Sequence, residues 1–257
     1  MEKAVEIRSL DVAYNRRLAI EDVALSVPKG AMVGVVGPNG GGKSTLLKAV
    51  LGLVPRLRGT VEILGRPVDR RTRRLVGYVP QREEVDWNFP VSAFDVVMMG
   101  RVTSTTFLGR PTAHDKELAW EALKTVGMEK YADTRIGEFS GGQQQRIFLA
   151  RALAQEAEVL LLDEPVSGVD APSQHEIFDL LRSLKGVGKT VIVATHDLSC
   201  VAERFDLALL LNRHTVAFGR PEEVFTPELL NKTYQSHLMV LKLGDRTVAV
   251  EDGDPDA

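Results

Sequence analysis

The chain has 257 residues, 44% of them hydrophobic, with 32 basic and 35 acidic side chains and a net charge of −3. That length fits one large α/β domain or two small ones, and the hydrophobic share is ordinary for a protein that buries a core. The near balance of charge argues against a protein built mainly to grip nucleic acid, and the single cysteine, Cys200, excludes an intramolecular disulfide framework and agrees with a reducing compartment.

Residues 1–8 (MEKAVEIR) alternate charges where a signal peptide would need an apolar core. No apolar run approaches the ~18 residues that span a bilayer, so work at a membrane would need other chains to do the crossing. The first buried strand is predicted at residues 32–36 (MVGVV), which run straight into GPNGGGKST at 37–45, with a helix over 43–51. Residues 82–138 differ in texture and hold no strand-like run. Helices are predicted there at 92–99, with Ser92 as N-cap, Asp95 three residues on and Gly100 as stop, and at 114–126, started by Thr112 and ended by Gly127. Short unbroken apolar runs at 159–162 and 191–194 predict buried strands. Between them, Ile177, Leu180, Leu181 and Leu184 mark one face of a helix over 173–184, closed by Gly186. Residues 207–211 and 215–218 predict a hairpin around 212–214, and 238–242 with 247–250 predict another around Gly244 and Asp245. The acidic end, residues 251–257, is expected to fray. Strands alternating with helices predict a largely parallel sheet covered by helices.

Two stretches carry the chemistry. GPNGGGKST fits G-x-x-x-x-G-K-[ST], with Gly37, Gly42, Lys43 and Ser44 at the fixed positions. Its glycines let the backbone curl until several N–H groups face one phosphate chain, and its last residues open a helix whose positive end faces the same anion. Lys43 is a point charge for the β- and γ-phosphates, and the Ser44 hydroxyl is a ligand for Mg²⁺. The second stretch, FSGGQQQR at 139–146, is a Gly-Gly turn preceded by Ser140 and opening a Gln/Arg-rich helix, a second place for N–H groups to meet phosphate. Asp163 and Glu164 end an apolar strand, where packing alone would not place two carboxylates, although a structural ion pair is the alternative. Gln81 and His196 each follow a short apolar strand; taken alone, each reads as a satisfied polar residue at a strand end. Tyr14 lies where a strand gives way to a turn, with core packing as the plain reading and stacking on adenine as the functional one. Arg70, Arg71, Arg73 and Arg74 read as a solvated face, with anionic lipid headgroups as the alternative. His114, His175, His214 and His237 have no metal-ligand spacing, and Cys200, on a predicted helix, is expected to be buried by packing, with a redox role as the alternative.

With these motifs in this order the chain, from Val5 to Tyr234, resembles the ATPase subunits of ABC transporters, and among them the group serving manganese, zinc or iron importers. The resemblance runs through Tyr14, the 37–45 loop, Gln81 in VGYVPQ, residues 140–143, LLLDEP at 160–165, SGVD at 167–170 and THD at 195–197. It implies an α/β P-loop NTPase with a mostly parallel sheet core, N-terminal antiparallel strands and an inserted helical subdomain. The ATPase domain would cover residues 1–237, its core about 1–81 and 146–220 and its helical subdomain about 82–145, followed by a hairpin and acidic tail at 238–257.

The same resemblance implies residue roles. Tyr14 would stack on the adenine of ATP, and Gly37, Pro38, Asn39, Gly40, Gly41, Gly42, Lys43, Ser44 and Thr45 would hold its phosphates. Ser44, Gln81 and Asp163 would hold Mg²⁺, Glu164 would polarise the attacking water, and His196 would touch the γ-phosphate. Ser140, Gly141, Gly142 and Gln143 would bind the γ-phosphate held by a second subunit in a head-to-tail homodimer, with Asp170 lining the contact. Gly41 stands where alanine or serine is usual, for which slightly more flexibility and no lost contact are expected. Gly168 and Val169 replace the usual Ala-Leu.

The function implied is an ATP-hydrolysing subunit that energises import of a divalent transition metal, manganese or zinc, by closing on ATP and reopening after hydrolysis. Its partners would be integral membrane permease subunits and, indirectly, an extracytoplasmic metal-binding protein, with the chain peripheral on the cytoplasmic face of the membrane and no nucleic acid bound. REEVDWNFPV at 82–91 and DVVMMGR at 95–101 carry the resemblance to the metal group, and the apolar, aromatic part is placed to form a groove for a permease helix. An importer of another solute, such as an iron chelate, is the near alternative. A soluble ABC ATPase acting on ribosomes or DNA would carry two cassettes or a coiled-coil insertion, and a non-catalytic regulator would lack Glu164 or His196.

Overall fold

The computed structural model describes residues 2–102 and 111–234, and the backbone of the strands at 238–243 and 246–251. His237, Gly244, Asp245 and the tail from Asp252 onward lie outside the described residues. The chain forms two compact units, residues 1–69 with 192–257 and residues 70–191.

In the first unit, β1 (Lys3–Tyr14), β2 (Arg17–Pro28), β3 (Met32–Val36), α1 (Lys43–Val50), β4 (Arg56–Ile63) and β5 (Arg66–Pro67) come first in the chain. The second unit contains β6 (Val76–Val79), α2 (Ala93–Met99), α3 (Ala113–Thr125), α4 (Gly141–Ala154), β7 (Val159–Asp163) and α5 (Ala171–Gly186). Strand β8 (Thr190–Ala194) begins in the second unit and ends in the first, which then completes with α6 (Leu198–Arg204), β9 (Leu207–Asn212), β10 (His214–Gly219), α7 (Pro221–Val224), α8 (Pro227–Tyr234), β11 (Leu238–Leu243) and β12 (Arg246–Glu251).

The first unit holds an antiparallel sheet in the order β2-β1-β4-β5. Its inward side chains include Val5, Ile7, Leu10 and Val12 of β1, Ile20, Val23, Leu25 and Val27 of β2, and Val61 and Ile63 of β4. Ile7 and Leu10 are an odd number of residues apart, which on a regular strand would put them on opposite faces. A bulge between them, with Ser9 at φ +46°, returns Leu10 to the inner face. Strand β3 is buried along its whole length and pairs in parallel with β9, as a strand covered on both faces should. Strand β9 turns back through Arg213 (φ +60°) into antiparallel β10, and β11 pairs antiparallel with β12, so both predicted hairpins form.

In the second unit β6 and β7 run parallel in register from Val76 opposite Val159 to Val79 opposite Leu162. Helix α4 packs against α2, α3, α5 and β6. Both predicted helix starts form as reciprocal capping boxes, Ser92 with Asp95 on α2 and Thr112 with Asp115 on α3. Asp115 also pairs with the buried Arg101 (Nε to Oδ1 3.0 Å), whose Nη1 donates to the Ala154 carbonyl at the end of α4 (2.7 Å). A buried charge is tolerable only when paired in this way. On α5 the buried face is Ile177, Phe178, Leu181 and Leu184; Leu180, expected inside, is half-buried, and Phe178 takes that place. The fold is α/β with a mostly parallel core and antiparallel N-terminal strands. No helix among the described residues is long and apolar enough to cross a membrane.

Candidate functional site

Each unit carries one glycine-bearing helix N-terminus together with polar residues at strand ends. In the first unit β3 delivers the chain from the core to Gly37, where an added Cβ would lie 1.9 Å from the Leu211 carbonyl oxygen. The loop turns through Gly40 (φ +75°) and Gly42 (φ +98°), backbone conformations that strongly favour glycine. A side chain at Gly42 would also strike Ile20 of β2 at 2.3 Å. Gly41 is closely packed by backbone. A Cβ there would sit 2.9 Å from the Pro38 oxygen and 3.1 Å from the Leu211 oxygen, and its own carbonyl accepts the Arg213 N–H at 2.8 Å.

Helix α1 starts at the loop with no side-chain cap on its N-terminus. The Lys43 ammonium, 6% exposed, donates to the carbonyls of Gly37 (2.8 Å) and Pro38 (3.1 Å), bending back over the loop. Ser44 and Thr45 are half-buried, Pro38 is half-buried, and Asn39 and Gly40 are exposed. Tyr14 ends β1 opposite Arg17 and is 44% exposed, so core packing is not its role. His196 is exposed at the end of β8. Next to it Asp197 accepts the Cys200 N–H (2.8 Å) and caps α6. Cys200 is half-buried, and its thiol is pushed up to about 12 by burial and then by the Asp197 charge, which makes it a poor nucleophile.

In the second unit Asp163 is buried to 1% at the end of β7, and its Oδ2 accepts the Tyr78 hydroxyl at 3.4 Å. That long bond orients the carboxylate from β6, a role the sequence reading did not assign to Tyr78. Glu164 follows at φ +45°, a left-handed conformation rare for a side-chain-bearing residue and typical of strained functional turns. Gln81 is half-buried just beyond β6 and opens a single 3₁₀ turn over Arg82–Glu84.

The other helix start in this unit is α4. Ser140 and Gln143 form a reciprocal capping box, the Gln143 N–H donating to Ser140 Oγ (3.4 Å) and the Ser140 N–H to Gln143 Oε1 (3.0 Å). This leaves the N–H groups of Gly141 and Gly142, at the first two helical positions, outside the box. Gly142 is buried, and a Cβ on it would lie 2.6 Å from the Ser173 Cβ of α5. Asp170 accepts the Ser173 N–H (3.0 Å) as N-cap of α5, and that bond holds its carboxyl below the usual carboxylate range. Among the described residues no cluster of His, Cys, Asp and Glu could hold a metal ion by itself. Ser44 in the first unit offers a hydroxyl, and Gln81 and Asp163 in the second an amide oxygen and a carboxylate, each a hard-oxygen donor of the kind that suits Mg²⁺ rather than a soft metal.

Comparison with known proteins gives the class. The ABC transporter family model matches residues 20–167. The manganese transport system ATP-binding protein MntB of Bacillus subtilis is 51% identical over 93% of this chain and 95% of its own. The zinc transport system ATP-binding protein TroB of Treponema pallidum is 48% identical over 90% of this chain and 86% of its own. A solved chain described as part of an inward-facing, metal-chelate type ABC transporter superposes with a TM-score of 0.85 at 30% identity, covering 98% of both. The chain belongs to the ABC transporter family, as one of its ATP-binding, ATP-hydrolysing subunits.

Proposed function

We propose that this protein powers an importer of a divalent transition metal, manganese or zinc, by ATP-driven closure of a head-to-tail homodimer and reopening after hydrolysis. The observation that carries the nucleotide half of this reading is the 37–45 loop, closed by Lys43 on an α1 N-terminus that no side chain caps. The relatives named for manganese and zinc transport support the cargo. Tyr14 stacks on adenine, residues 37–45 hold the phosphates, and Ser44, Gln81 and Asp163 hold Mg²⁺, which when bound neutralises phosphate charge. Glu164 accepts a proton from the attacking water, and His196 donates to the γ-phosphate. Ser140, Gly141, Gly142 and Gln143 serve the nucleotide of the second copy, because each chain has one loop and one such turn. By two-fold symmetry each is used twice.

The exposed Phe89, Met99 and Trp120, with Phe94 against the Trp120 ring (centroids 5.2 Å apart), support a docking face for a membrane permease. The chain then sits peripherally on the cytoplasmic face of the membrane, and an extracytoplasmic metal-binding protein delivers the ion. Glu164→Gln tests the reading. Hydrolysis should fall by ~10²–10⁴ because an amide cannot act as general base. The variant should run as a dimer on size exclusion with ATP and Mg²⁺, and cells carrying it should lose one of manganese or zinc by elemental analysis. A monomer under those conditions sinks the sandwich, and normal manganese and zinc contents sink the cargo.

A further inference from the structure

We infer that Arg82 is a further phosphate-contacting residue, its guanidinium acting beside the Gly141 and Gly142 N–H groups on the terminal phosphate of a nucleotide held by a second copy of the chain. The inference rests on the head-to-tail reading above.

Arg82 directly follows Gln81, yet its side chain is committed to α4. Its Nε donates to Gln144 Oε1 at 3.2 Å, and the other end of that amide donates to the Ile136 carbonyl at 3.1 Å, which fixes which way the amide faces. Trp87 holds the turn from the other side, its Nε1 donating to the Arg82 carbonyl (2.9 Å) with its ring 6.0 Å from Arg82 Cζ. So held, the guanidinium lies along the start of α4. Nη1 and Cζ are 3.5 and 3.6 Å from the point where a Cβ on Gly141 would stand.

This placement is electrostatically adverse for the chain alone. A cation beside the first turn of a 14-residue helix meets the positive end of the helix dipole. Among the described residues no carboxylate pairs with Arg82, although Glu83 and Glu84 follow it directly in the chain. Among the described residues only the N–H on Nε, of its five, finds a partner, and Nη1 and Nη2 remain to donate. An incoming phosphate reverses the sign of the arrangement. Two backbone N–H groups and a planar fork then converge on one anion, with charge-assisted bonds from the arginine. Glycine at 141 keeps that approach clear.

The test uses the hydrolysis-impaired Glu164→Gln chain, with dimerisation in ATP and Mg²⁺ followed by sedimentation velocity. Adding Arg82→Gln should raise the dimer Kd at least about tenfold, the scale of one lost bond to a charged group. Arg82→Lys should fall between the two. Melted without nucleotide, Arg82→Gln and Arg82→Lys should shift alike, since each loses the Nε bond to the buried Gln144 oxygen, while the dimer Kd separates them. If Glu164→Gln alone forms no dimer, the head-to-tail reading fails and takes this inference with it. If it dimerises and Arg82→Gln leaves the Kd unchanged, the inference alone is overturned. A dimer weakened equally by glutamine and by lysine, in step with the nucleotide-free Tm, would make Arg82 a structural prop and overturn it equally.

Discussion

At residues 37–45 the backbone enters α1 through two left-handed glycines, no side chain caps the helix, and a buried lysine turns back across the loop. At residues 140–143 the start of α4 needs no positive φ, and a serine and a glutamine cap it reciprocally. The first helix start is incomplete by itself: it turns through left-handed glycines, no side chain caps it, and its lysine brings the charge. The second is a stable helix start that keeps only its first two N–H groups in reserve. On the proposed reading the first grips an anion alone, and the second adds contacts to an anion gripped elsewhere. Removing charge should therefore hurt the loop, and disturbing packing should hurt the α4 turn.

The largest effect is expected from Lys43→Ala. Losing a charged donor to the phosphates should weaken ATP binding by at least two orders of magnitude, roughly 3 kcal/mol, measured by calorimetry. Gly142→Ala should leave that affinity intact and cost stability instead. Its methyl would stand 2.6 Å from Ser173 Cβ, so the starts of α4 and α5 must part, at about 1–3 kcal/mol in denaturant unfolding. If Gly142→Ala lowered ATP affinity as much as Lys43→Ala does, the division of labour between the two turns would be wrong.

What the sequence revealed follows the range of the interactions involved. The capping pairs Ser92 with Asp95 and Thr112 with Asp115 are local, three residues apart, and both helices begin where they predict. The strand at 32–36 and the hairpin at 207–219 were likewise legible from short apolar runs. The constraint on Gly142 was hidden because Ser173 approaches it only after folding. The Tyr78 hydroxyl on Asp163 spans 85 residues, and no spacing rule reaches that far. The crowding at Gly41 was hidden for the same reason, coming partly from the Leu211 carbonyl on β9. Strand β4 was not predicted from the sequence; its first residues, 56–58, are exposed and two of them are charged, leaving no alternation to read.

Ser140→Ala sharpens the comparison at smaller scale. The capping box is lost from α4, at about 1 kcal/mol or ~2–4 °C in Tm. ATP affinity at the 37–45 loop should stay the same by calorimetry, whereas ATP-dependent dimerisation of the Glu164→Gln chain should weaken. Equal losses in both assays would mean that the turn serves its own chain's nucleotide.

The smallest effect concerns Asp170, the N-cap of α5, whose start adjoins Gly142 through Ser173. Its carboxyl is held below the usual range by the Ser173 N–H bond. A lowered folded-state value contributes stability above the unfolded carboxylate pKa, and that contribution is lost as pH falls through the folded value. Asp170→Asn supplies an equivalent cap that does not titrate in this range. The Tm difference between the wild-type and Asp170→Asn proteins should therefore be flat near neutrality and drift against the wild type as pH drops below the ordinary carboxylate range. All other acidic groups titrate in both proteins and cancel. A difference that stays constant from neutral to acid pH would show that the cap's charge does not support the α5 start against which Gly142 packs.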